Sequence, residues 1–240
     1  MKRTIVLETA PSTNSVLREM AAAGAAAGQV VIARRQTAGR GRLGRTFASP
    51  EGGLYLSYLF RSETNAATLT ARAAVAACRA VGACCGAEPA IKWVNDLMLA
   101  GRKIGGILAE SSADARGERF VVMGIGINVN GTAASLPPEV RETAGYLSEL
   151  TGRAGDTETL ARTLVAELDR LRQGAEPAEA WLAEYRRRCL TVGRPVAVLK
   201  PEGAREATAL AVNDDYSLAV QYADGGTEDV FTGEVSVKLR

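Results

Sequence analysis

The run Gln36-Thr37-Ala38-Gly39-Arg40-Gly41-Arg42-Leu43-Gly44-Arg45 alternates three glycines with three arginines directly after the apolar stretch Val30 to Ala33. Glycines at this spacing let a backbone turn and approach a ligand closely. Each guanidinium is a fixed planar fork that grips carboxylate or phosphate oxygens two at a time. The loop is suited to holding an anion. On its own it fits a solvated basic loop, a nucleic-acid contact or a small-molecule phosphate clamp.

Other residues of the same chemical type recur downstream. Lys92 and Trp93 stand inside the apolar run Ala90 to Val94, ahead of the turn pair Asn95-Asp96. Lys103 opens a strand-like segment softened by Gly105 and Gly106, and a further segment, Phe120 to Val129, carries Gly124, Gly126 and Asn128. Strand glycines mark close approach of a ligand or another backbone, so these segments are expected to face one cavity. Near the start, Ser12, Thr13 and Asn14 offer three hydrogen-bonding side chains at a helix N-terminus, where they either cap the helix or grip a polar ligand head.

Composition narrows the chemistry. The 240 residues contain no histidine, which excludes Ser-His-Asp and Cys-His catalysis, His-ligated zinc and a histidine base. With Lys+Arg 29 against Asp+Glu 27, the formal charge of +2 gives no global field for bulk nucleic-acid binding. Any anion site must be local. The cysteines Cys78, Cys84, Cys85 and Cys189 form no C-x-x-C pair and read as buried free thiols of a reducing, cytoplasmic setting. The start of the chain lacks the pattern of a signal peptide, and no stretch has the apolar length of a membrane span.

The elements that must position these residues follow from periodicity and breakers. Strands are expected at Thr4 to Leu7, Gln29 to Arg35, Leu54 to Phe60, the run into Lys92, Leu97 to Ala100, Lys103 to Glu110 and Phe120 to Val129. A hairpin is expected at Gly101-Arg102. Helices are expected over Ser15 to Ala27, stopped by Gly28, and over Asn65 to Ala83 and Thr143 to Leu150. Two more follow, one over Thr157 to Arg172 capped by Asp156, the other running from Pro177 to Arg188. After Gly193 five short strands at even spacing, the last Val235 to Leu239, predict a small SH3-like or OB-like barrel.

Taken in order, five motifs resemble the biotin–protein ligase family. They are Gly39 to Arg45, Ser49-Pro50-Glu51-Gly52-Gly53-Leu54-Tyr55-Leu56-Ser57, Lys92-Trp93-Val94-Asn95-Asp96, Lys103 to Glu110, and Gly124-Ile125-Gly126-Ile127-Asn128. The resemblance implies an α+β architecture: a class II aminoacyl-tRNA-synthetase-like catalytic domain with a mixed sheet over residues 1–190, then an SH3-like barrel over 191–240. It implies activation of biotin by ATP and Mg2+ to biotinyl-5′-AMP, transfer to a lysine of a biotin carboxyl carrier domain, and no tightly bound prosthetic group. By the same likeness Arg42 and Lys103 are the catalytic pair. Ser12, Thr13, Asn14, Gln36, Gly39, Arg40, Gly41, Arg42, Lys103 and Gly106 bind biotin. Arg40, Arg42, Arg45, Phe47, Lys92, Trp93, Asn95 and Asn128 bind the nucleotide, and Asp96 is the candidate magnesium ligand.

Two departures stand out, Phe47 where the family commonly has tryptophan and Val94 for a frequent proline. Ser12 comes so early that no N-terminal DNA-binding domain is expected, which predicts a monofunctional ligase without a DNA or membrane partner and leaves monomer or homodimer open. Within the fold the rival is a lipoate ligase or octanoyltransferase. Outside it the rivals are a nucleic-acid module and a biotin-binding scaffold without turnover, which the presence of Arg42 and Lys103 disfavours.

Overall fold

The computed structural model describes residues 3–61, 65–200, 203–231 and 236–239. A seven-stranded sheet dominates, in the order β1-β2-β3-β7-β6-β5-β4. Its strands are β1 (Thr4–Ala10), β2 (Val30–Gln36), β3 (Gly53–Arg61), β4 (Ala90–Lys92), β5 (Asp96–Leu99), β6 (Arg102–Ala113) and β7 (Arg119–Asn128). Only β1 and β2 are parallel, joined through helix α1 (Thr13–Ala22), so the sheet is mixed.

β3 explains the layering. Leu54 through Phe60 are all buried, as happens when both faces of a strand are covered. Leu54, Leu56, Tyr58 and Phe60 pack into the cluster formed with α2 (Ala66–Cys85) and α4 (Thr157–Arg172). Leu59 turns the other way, with Val31 and Val122, onto Leu17 and Ala21 of α1. Tyr55 and Ser57 share that second face, beyond the apolar contacts of α1, and this is where the cavity described below opens.

Local signals set most boundaries. Asn65 caps α2 by accepting from the amides of Ala67 and Thr68, and Asp156 caps α4 through Glu158 and Thr159. The β5–β6 hairpin turns at Ala100 and Gly101, both at positive φ, the geometry that matches strand twist. Two expectations are corrected. α1 begins at Thr13 and ends at Ala22, so Gly28 is not its stop. Residues 143–146 are not helical. Lys103 N–H donates to Thr143 O and Gly145 N–H to Lys103 O, and this extended pairing delays α3 to Leu147–Thr151.

Helix α5 (Ala178–Arg188) leads to a second, antiparallel sheet in the order β11-β10-β9-β8-β12, formed by β8 (Pro195–Lys200), β9 (Gly203–Val212), β10 (Leu218–Tyr222), β11 (Thr227–Val230) and β12 (Ser236–Leu239). Of the last expected strand, Val235 lies outside the described residues. Val196, Val198, Leu218 and Val220 of this sheet belong to the same apolar cluster as α2 and the large sheet.

Candidate active site

The loop after β2 closes on itself. Gly41 N–H donates to Arg45 O at 2.7 Å, Phe47 N–H donates to Gly39 O at 2.9 Å, and Arg40 pairs with Thr46 as an isolated bridge. A Cβ on buried Gly39 would meet Phe47 O at 2.3 Å, so that glycine is a packing requirement and lies behind the cavity wall. Leu43 takes a left-handed conformation at the exposed tip.

Beneath the loop lies a cavity of about 330 Å3, within the size range of small-molecule sites. It gathers Ser12, Thr13, Asn14, Gln36, Arg40, Gly41, Arg42, Arg45, Phe47, Lys92, Trp93, Asn95, Asp96, Lys103 and Gly106 from the sequence-predicted set, together with Gly124 and Gly126. Two predicted residues are not in its lining. Gly39 supports the loop from behind, and Asn128 is buried with its Nδ2 donating to Gly145 O at 3.1 Å. Asn128 Oδ1 is buried without a hydrogen-bond partner among the described residues. Tyr55 and Ile107, inside the motifs but without an assigned role, and Val140 and Thr143, outside them, also line the cavity.

One end is a polar floor. Gln36 Oε1 accepts from Thr13 N at 2.8 Å and from its hydroxyl at 3.2 Å, while Gln36 Nε2 donates to Ser49 Oγ. The Ser57 hydroxyl donates to Asn14 Oδ1 at 2.6 Å and lies 2.8 Å from Thr13 Oγ1. Ser12 is the N-cap residue of α1 yet makes no side-chain cap bond, which keeps its hydroxyl available at the cavity. Glycine is required where this floor meets β7. A Cβ at Gly124 would stand 2.3 Å from Asn14 Oδ1, and one at Gly126 would stand 2.6 Å from the Phe47 ring.

The other end is cationic. Arg40, Arg42, Arg45, Lys92 and Lys103 line the cavity against a single carboxylate, Asp96. Lys103 Nζ meets Asp96 Oδ1 at 2.6 Å. Arg42 donates to Asn95 Oδ1 at 3.1 Å, and Asn95 is fixed in turn by donating to Ile107 O. Burial pulls the Arg42 guanidinium below its ordinary pKa, opposed by Asp96 and reinforced by Arg45. At neutral pH it stays a cation, held in a partly water-poor setting where charge acts strongly.

The indole wall is held by α5, the segment after it and the β9–β10 turn. Trp93 Nε1–H donates to Tyr216 O at 2.9 Å, Trp93 N–H donates to Thr191 Oγ1 at 2.9 Å, and Tyr185 O–H donates to Val94 O at 3.1 Å. Phe47, in place of tryptophan, keeps an aromatic wall and stands edge-on to Tyr55 with centroids 6.4 Å apart. No group of three or more ligating Cys, Asp or Glu side chains occurs among the described residues.

Comparison with known proteins agrees with this geometry. Residues 6–130 match the model of the biotin/lipoate A/B protein ligase family. The chain is 36% identical over 243 residues to the biotin–[acetyl-CoA-carboxylase] ligase of Mycobacterium tuberculosis, covering 95% of this chain and 86% of that one. It is 36% identical over 206 residues to the ligase of the same name from Paracoccus denitrificans, covering 80% and 82%. Among solved structures, the biotin protein ligase from Aquifex aeolicus in complex with biotin and ATP superposes with a TM-score of 0.87 at 27% identity, covering 100% of both chains.

Proposed function

The chain belongs to the biotin/lipoate A/B protein ligase family, and from that premise we propose that it is an ATP-dependent biotin–protein ligase that biotinylates a lysine of a carboxyl carrier domain. The observation that carries this reading is the polarity of the cavity. A buried hydrogen-bonding floor of Ser12, Thr13, Asn14 and Gln36 faces a cluster of arginines and lysines across one space. A ureido head with donors and acceptors satisfies such a floor. The alkyl tail of octanoate or the dithiolane of lipoate leaves the remaining capacity of this floor, the Ser12 hydroxyl first, without a partner, which is how a polar site rejects an apolar analogue.

In the first step a biotin carboxylate oxygen attacks the α-phosphorus of ATP, the bond from that phosphorus to the α,β-bridging oxygen breaks, and pyrophosphate leaves. Both reactants are anions, so the residues act by positioning and charge. Lys103 exchanges Asp96 for the biotin carboxylate and the phosphate it attacks. Arg40, Arg42 and Arg45 hold the phosphates and retain the adenylate, Asn95 orients Arg42, and Trp93 with Phe47 and Lys92 forms the nucleotide wall. Asn128 is carried to the nucleotide side by the family resemblance, one layer behind the wall, with its buried Oδ1 unpaired among the described residues. In the second step the neutral carrier amine attacks the acyl carbon, AMP leaves, and the amine gives up a proton.

Magnesium would arrive on the triphosphate, where it offsets phosphate charge. Asp96 is the one lining carboxylate able to meet it, once released from Lys103. The five-stranded sheet is read as the SH3-like companion domain, with the boundary at 190/191 and the larger part akin to class II aminoacyl-tRNA synthetases. The free thiols suit a cytoplasmic setting.

The test is pyrophosphate release from MgATP with biotin, with and without a carrier domain, followed by the mass of the carrier. Biotin-dependent release with a biotinyl mass gain on the carrier lysine is expected. Release driven by lipoate instead would overturn the substrate and leave the fold reading standing.

A further inference from the structure

Glu110 lies on β6 outside the cavity lining, and the reaction assigns it nothing. Its Oε2 nevertheless accepts two hydrogen bonds at once, from Asn14 Nδ2 at 2.7 Å and from Arg40 Nη2 at 2.8 Å. Both donors line the cavity, one in its polar floor and one in the Gly/Arg loop. From this we infer that Glu110 is a positioning residue, which ties the loop to the biotin floor and makes retention of the adenylate depend on that tie. The inference rests on the ligase reading for its ligand but not for the tie itself.

The floor and the loop form one hydrogen-bonded chain that Glu110 completes. It starts at Phe47 O, at the far side of the loop, passes through Ser49 and Gln36 to the Thr13 backbone N–H, and continues from the Thr13 hydroxyl through Ser57 to Asn14. Glu110 then returns it to Arg40 on the near side of the loop. Without Glu110, the Asn14 Nδ2 group keeps only the longer bond to Leu108 O at 3.3 Å, and Arg40 loses its ion-pair partner. The carboxylate also sets how Arg40 presents itself. Arg40 Nε is buried with no hydrogen-bond partner among the described residues, so the guanidinium reaches the cavity with one donor unsatisfied. A buried N–H of that kind favours a ligand acceptor. Charge-assisted bonds are about twice as strong as neutral ones, but these side chains are about a quarter to a third exposed (26% and 34%). The effect is therefore expected on the loop rather than on global stability.

The loop supplies its own probe, because Arg40, Arg42 and Arg45 are trypsin sites. In ligand-free protein Glu110→Gln should raise the rate of tryptic nicking in the loop roughly tenfold, as loss of one charge-assisted bond predicts. The midpoint of thermal unfolding should shift little. With ATP and biotin but no carrier, biotinyl-AMP should leave Glu110→Gln roughly tenfold faster than wild type, while the KM for ATP stays near its original value. Combining Glu110→Gln with Arg40→Met should add nothing to Arg40→Met alone, because both cut the same tie.

Wild-type nicking and wild-type adenylate retention in Glu110→Gln would overturn the inference, and so would multiplicative effects in the double variant. If Glu110→Gln does not fold, Arg40→Met reads the tie from the loop side, and unchanged nicking there at Arg42 and Arg45 overturns it. A wild-type protein that forms no biotinyl-AMP would refute the ligase reading alone, since the ligand-free nicking comparison still decides the tie.

Discussion

At the scale of single residues, the site is built from side chains whose neighbours leave them little choice. Lys103 shows this best. Its backbone is clamped on both sides by residues 143–145, so its ammonium, paired with Asp96, has a fixed base from which the proposed role would draw it to a ligand anion. Lys103→Met should lower the rate of adenylate formation by about 10²–10³, the range for losing one preorganised charge donor. Its thermal midpoint should change little, since an ion pair this open contributes modestly to folding. A rate within a factor of three of wild type, in single turnover, would remove Lys103 from the reaction. Gly124→Ala tests the floor instead. Its methyl group would collide with Asn14 Oδ1, so biotin KM should rise about tenfold or more while ATP KM holds, as a misplaced positioning group predicts. These glycines were legible as close-approach points from their place in apolar strands. Glu110 was not, because nothing in a spacing of seventy residues announces that it meets Arg40 in the fold.

At the scale of elements, local signals served well where a cap or a turn decides the boundary, as for α2 and α4. They failed where tertiary pairing decides it. The helix expected over Thr143 to Leu150 loses its first residues to the backbone of Lys103; α1, by contrast, stops at Ala22 on a local signal, Gly24 at φ +92°, ahead of the expected stop at Gly28. Helix packing behind the sheet brings a further expectation. Arg79 of α2 donates to Glu176 and Glu184 and stacks over Trp181 at 4.3 Å, stapling α2 to α5 and to the turn after α4. Glu176 is held below the usual carboxylate range by its hydrogen bonds from Arg79 and Arg170. Because its folded pKa is depressed, its contribution is complete above the ordinary glutamate pKa of about 4.3 and is lost as pH falls through the lowered value. Arg79→Met should therefore lower the unfolding midpoint at pH 7 and flatten its fall below about pH 4.3. An unchanged acid limb by circular dichroism would exclude the staple as its source.

At the scale of the whole molecule, the two sheets share one apolar cluster, and one wall of the cavity is fixed by the C-terminal part of the chain. Trp93 lines the cavity, yet its two N–H groups are satisfied by Thr191 and Tyr216, and Tyr185 of α5 holds the next carbonyl. Both Thr191 and Trp93 are buried, so water cannot replace a lost partner cheaply. A chain of 240 residues with a small second sheet would ordinarily be expected to unfold in more than one step. The shared cluster and the Trp93 contacts argue for a single cooperative transition. Calorimetry should show one endotherm, with calorimetric and van't Hoff enthalpies in agreement, and biotin with MgATP should raise it as a unit. Thr191→Val keeps the shape but removes the acceptor for Trp93 N–H. It should lower that one transition by about 1–3 kcal/mol and, on the proposed assignment of Trp93 to the nucleotide wall, raise ATP KM more than biotin KM. Two resolved endotherms, only one of which responds to ligand, would show instead that the small sheet folds apart from the site.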